Sequence, residues 1–109
     1  MDAQSRKQLE ARFLAVLADY SMANPCPRPI LAEKIGCDVR TVSDLAVSLV
    51  KRYEPVCSSN DGFYLGKTIE EIREGRNFKM RRFLDYKEQL DAYEFMIDVK
   101  AAASQGRLL

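Results

Sequence analysis

Five cations crowd into ten residues of this chain. The stretch "REGRNFKMRR", residues 73–82, holds Arg73, Arg76, Lys79, Arg81 and Arg82 against Glu74 alone. Guanidinium and ammonium groups at that density either contact phosphates or form a solvated helix face that balances acidic residues downstream. The thiols offer less. Cys26, Cys37 and Cys57 lie far apart with no C-x-x-C pair, and the chain has no histidine. Zinc would need a carboxylate as fourth ligand, in a spacing that fits no common site. Buried thiols in a reducing cytosol are therefore expected, with no metal and no cofactor. Glycine-rich phosphate loops and nucleophile signatures are also missing, and the carboxylates are scattered, so an enzyme is not expected.

A length of 109 residues suits one domain, or a small domain with an appendage. With 47% hydrophobic and 30% charged residues the chain can bury a core. Its net charge of +1 creates no global field, so any basic surface must be local. The polar N-terminus lacks the pattern of a signal peptide, and the apolar runs are too short to span a bilayer. A soluble, cytoplasmic protein without a membrane partner is expected.

Hydrophobic spacing sets out the elements that must carry these side chains. Leu9, Phe13, Val16, Leu17 and Tyr20 recur at helical intervals and predict a helix over 3–22. Pro25, Pro27 and Pro29 end it, with Cys26 an apolar plug before the next element. A second helix starts at Pro27–Pro29 and stops at Gly36, a residue suited to the left-handed turn at a helix end. Asp38 can cap a third helix, whose Val42, Leu45, Ala46, Leu49, Val50 and Tyr53 share one apolar face until Pro55. Two β-prone runs, 56–58 and 63–65, flank Asn60-Asp61-Gly62 and predict a hairpin. Thr68 and Glu71 form a capping-box pattern that opens a long helix to about Ala103. Ile69, Ile72, Phe83, Tyr86, Leu90, Tyr93 and Ile97 alternate three and four apart in it, a heptad seam interrupted by Arg76 and Lys79. The tail "SQGRLL" is expected to fray. The chain thus divides into residues 1–67 and a helical oligomerisation element, 68–109.

The fold class is mainly α with a small β-hairpin. Ala32, Gly36 and Val42 stand as Ala-x3-Gly-x5-Val, with Leu31, Ile35, Cys37 and Leu45 around them. A small residue lets two helices cross, a glycine turns the chain, and the apolar set wedges between them. "ILAEKIGCDVRTVSDLAVSLV" followed by "PVCSSNDGFYLG" resembles the winged helix-turn-helix domain of biotin-repressor-type regulators. It is similar also to small winged-helix proteins of phages and prophages, in which a long helix follows the wing.

That resemblance implies that the third helix lies in the major groove of double-stranded DNA, with Arg40, Ser43, Asp44, Val47 and Lys51 outward. Arg40 would donate two hydrogen bonds to a guanine, or else form a surface salt bridge. Ser43 would contact base or phosphate and Val47 a thymine methyl. Thr41 would reach a phosphate or serve the helix cap. Arg28 adds a cation to the same module, and Ser59 and Asn60 belong to the wing tip. Asp44 would accept from a cytosine amine, or would oppose DNA on a surface that meets a protein. Arg76, Arg81 and Arg82 would form a second phosphate-contacting surface.

The chain departs from the family pattern in charge. Residues 28–66 hold Arg28, Lys34, Arg40, Lys51 and Arg52 against Glu33, Asp38, Asp44, Glu54 and Asp61, so the module is neutral. A neutral module grips phosphate weakly. The expected function is sequence-dependent DNA binding as a homodimer or higher homo-oligomer, in transcriptional or phage and mobile-element regulation. Phe83, Tyr86, Leu90, Tyr93 and Ile97 would pair the copies, unless the helix folds back on the first. The alternative is an oligomeric adaptor that meets a protein through the third-helix face and binds no DNA.

Overall fold

A computed structural model describes residues 3–106. The elements run α1 (Ala3–Leu17), α2 (Arg28–Ile35), α3 (Val39–Lys51), β1 (Val56–Ser59), β2 (Gly62–Leu65) and α4 (Ile69–Ser104). Three helices, a two-stranded antiparallel hairpin and a long helix follow in the expected order, a layout compatible with a winged helix. The described residues form two compact units, one up to Phe78 and one from Lys79.

The first unit is built on one core. Phe13 and Leu17 of α1, Leu31, Ala32 and Ile35 of α2, and Val42, Leu45, Ala46 and Leu49 of α3 are buried with Cys26, Val56 and Phe63. Leu9, Val16, Tyr20 and Cys37 pack on its margin. Helix α1 is shorter than its apolar spacing predicts. The amides of Asp19 and Tyr20 bond three residues back, to Val16 and Leu17, and this tightening ends the α-helix before Tyr20.

Local chemistry explains the junctions. Pro27 precedes α2 in extended geometry and Pro29 lies in its first turn. Gly36 then takes φ 81° and ψ 41°, and its amide and that of Cys37 both reach the Ala32 carbonyl. Asp38 caps α3, its carboxylate accepting from the Thr41 amide at 2.7 Å. Bonds from the Thr41 side chain and then its amide hold the Asp38 carboxyl below its ordinary value.

The far end of α3 overturns one expectation. Helical spacing puts Tyr53 on the buried face with Val50, yet Tyr53 is 95% exposed and Val50 is also exposed. The helix stops at Lys51, and Tyr53 adopts φ 69°. Its amide bonds Val50 while the Glu54 amide bonds Leu49, the paired closure usually completed by glycine. Counting along the helical face fails at Tyr53 because the helix closes at Lys51, two residues before the apolar pattern ends.

Hairpin register pairs Val56 with Leu65, Cys57 with Tyr64, Ser58 with Phe63 and Ser59 with Gly62, leaving Asn60 and Asp61 as the turn. Cys26 does more than plug the core: it exchanges both backbone hydrogen bonds with Phe63, at 2.8 and 2.9 Å. Gly62 sits where that strand-like segment passes. A Cβ there would meet the Cys26 carbonyl oxygen at 2.1 Å, so no other residue fits.

Thr68 and Glu71 start α4 as a near capping box. The Glu71 amide donates to the Thr68 hydroxyl at 3.1 Å, while the Glu71 carboxylate accepts from the Lys67 backbone amide at 2.9 Å. Gly75, the one buried residue of α4, packs on Cys57 of β1. The first turns of α4 therefore belong to the first unit. Beyond Lys79 every described side chain is exposed except the half-buried Ala102. Of the tail, residues 107–109 lie outside the described residues.

Candidate nucleic-acid interface

Burial of one side of α3 determines what its other side presents. Val42, Leu45, Ala46 and Leu49 face the core, which turns Arg40, Asp44, Val47 and Lys51 to solvent and leaves Ser43 and Thr41 half-buried. Thr41 serves the cap through its amide. Asp44, Val47 and Lys51 line one shallow groove with Ser48 and with Arg6 of α1. Arg6 was not among the expected residues. Its guanidinium donates to the Asp44 carbonyl at 3.4 Å and lies 3.6 Å from the Glu10 carboxylate.

Glu10 is the other residue that the sequence did not single out. It is 5% exposed, the one buried charged residue among those described, and it ion-pairs with Arg52 as well as Arg6. A carboxylate buried in a helical core needs such partners, because desolvating it alone costs several kcal/mol. Arg52 is thereby tied to α1. The exposed cations left on the α3 face are Arg40 and Lys51, with Arg6 at the groove edge.

The remaining candidates are spread over the first unit. Arg28 opens α2 and holds its guanidinium 5.7 Å above the Phe63 ring, an exposed cation braced on the hairpin. The Ser59 hydroxyl accepts from the Asp61 amide at 3.2 Å and donates to the Gly62 carbonyl, so it stabilises the turn. Asn60 is exposed at the tip. Arg76 bonds the Asn77 side chain at 3.3 and 3.4 Å and lines a small apolar pocket with Ile69, Ile72 and Arg73.

Arg81 and Arg82 stand on the second unit, exposed, as do the seam residues Phe83, Tyr86, Leu90, Tyr93 and Ile97. Among the described residues no three histidine, cysteine, aspartate or glutamate side chains come together as a metal site. None of the described helices is long and apolar enough to cross a membrane. Comparison with known families, with characterised proteins and with solved structures finds no match to this chain.

Proposed function

We propose that this chain binds double-stranded DNA in a sequence-dependent way, as a dimeric winged-helix regulatory factor of transcription or of a phage or mobile element. The observation that carries the reading is the division of α3. Its apolar side is consumed by the core, while Arg40, Asp44, Val47 and Lys51 stay outward on a helix fixed by its cap. Arg40 lies near the helix N-terminus, where a groove-entering helix reads base edges. Arg6, Lys51 and Arg28 supply phosphate contacts around it, and the hairpin turn Asn60-Asp61 serves as wing.

A second reading has its own support. Glu10 engages Arg52 and Arg6, and Asp44 sits in the groove itself, so the face carries little spare positive charge. Such a surface suits a protein partner. Fluorescence anisotropy with random-sequence duplex separates the two. DNA binding requires association at low salt that weakens steeply toward physiological salt. No association at low salt, with random duplex and with a pool of sequences, favours the adaptor.

A further inference from the structure

From Lys79 onward the described side chains of α4 are exposed on every face of the helix, Ala102 apart. Between Met80 and Val99 ten large apolar side chains are 40–69% exposed. A free helix gains little from propensity alone, and helical segments in proteins are held chiefly by burial of an apolar face. Phe83, Tyr86, Leu90, Tyr93 and Ile97 fall within one stripe, spaced three and four apart, as a two-stranded seam requires.

Charge decides which way a second copy lies on that seam. In a parallel, in-register pair Lys79 and Lys100 each occupy seam positions and face their own copies at both ends of the apolar run. Arg82 then flanks the partner's Lys87, on both sides of the pair. Like charges so placed oppose association. Reversing one helix removes all of these contacts. With Tyr86 opposite the partner's Ile97 and Leu90 opposite the partner's Tyr93, Lys87 flanks the partner's Glu94, and the two-fold axis makes that pair twice. Lys87 bonds Asp91 one turn on at 3.0 Å, which leaves two ammonium protons for the partner's carboxylate.

The geometry points to a second copy of this chain, antiparallel along residues 83–97, as the occupant of the α4 seam. This rests on the dimeric reading above and fixes its orientation. Because the measurements contain no DNA, the orientation and the DNA face are judged separately.

Sedimentation equilibrium of the full chain and of charge variants tests it. Glu94→Lys turns two attractions into two repulsions and is expected to weaken self-association on the order of tenfold. Adding Lys87→Glu in the same chain is expected to restore it. In a parallel pair Glu94 faces Gln89, so Glu94→Lys would change little, and adding Lys87→Glu, which then meets the partner's Arg82, would tighten association beyond that of the unsubstituted chain. Spin labels at Ala101→Cys, in a Cys37→Ser background that leaves only buried thiols, give a second readout. The antiparallel register sets residue 101 level with residue 82 of the partner, so the two labels lie ~28 Å apart along the axis. A label separation near the interhelical spacing of about 10 Å would overturn the orientation. A chain that stays monomeric at all concentrations would overturn both the orientation and the dimer.

Discussion

Arg52, just past the end of α3, ion-pairs with Glu10, which is buried in α1. The pair joins the first helix to the third and takes a cation from the face proposed to meet DNA. Arg52→Ala would leave the carboxylate with Arg6 alone, at 3.6 Å. Removing one partner of a buried pair is costly, so a loss of roughly 2–3 kcal/mol is expected, moderated by the exposure of Arg52. Urea unfolding checks this. An unchanged midpoint would mean that Glu10 is relieved by water or protonation instead.

Gly75 should resist the substitution that helix propensity recommends. Alanine in its place gains about 1 kcal/mol of propensity. Its Cβ, however, would lie 2.7 Å from the Cys57 sulfur and 2.9 Å from the Cys57 Cβ. Overpacking of that kind costs about 1–3 kcal/mol, so Gly75→Ala is expected to lower the melting temperature. Gly75→Val should lower it further.

Tyr53→Gly is expected to act in the opposite direction. A tyrosine at φ 69° bears a backbone cost that glycine avoids, and its ring, 95% exposed, contributes almost no packing. The gain should be about 1 kcal/mol in chemical denaturation. If Tyr53→Gly also weakens DNA binding, the exposed ring belongs to the interface.

Two ionisations give the fold opposite pH limits. The Asp38 carboxyl is held below its ordinary value of 3.8 by Thr41. A depressed folded value means that its stabilisation is present above the unfolded value and is lost as pH falls through the folded one. Asp38→Asn keeps a cap acceptor without the charge, so wild type should exceed it near pH 6, and the gap should close in strong acid. Burial, and next the Cys57 thiol, push the Tyr64 phenol up to about 12. A raised value gives stabilisation that is complete below the ordinary value of 10.0 and declines as pH rises to about 12. Tyr64→Phe should remove that alkaline decline from melting curves.

Much of this architecture is legible in the amino-acid sequence because local chemistry dictates it. Gly36, Asp38, Thr68 and the Asn60-Asp61-Gly62 turn each act within a few residues, and the structure places the helix ends and the hairpin where they indicate. The Cys26–Phe63 pairing left no such trace, since a backbone bridge between distant segments requires no particular side chain. Arg6 and Glu10 were missed for a related reason. On α1 they read as ordinary surface charges, and only the approach of α3 makes one a groove residue and the other a buried ion. Tyr53 misled because the αL closure by a non-glycine residue carries no sequence cue.

The most direct test of DNA reading by α3 compares duplex binding by wild type, Arg40→Ala and the double variant Arg81→Ala, Arg82→Ala, by fluorescence anisotropy across salt. Base contact by Arg40 is expected to make its loss cost about 1–3 kcal/mol on the preferred sequence and to relax discrimination among sequences. The double variant should weaken binding uniformly and flatten the salt dependence. Equal binding by Arg40→Ala and wild type, on every sequence tried, would contradict the assignment of α3 as the reading helix.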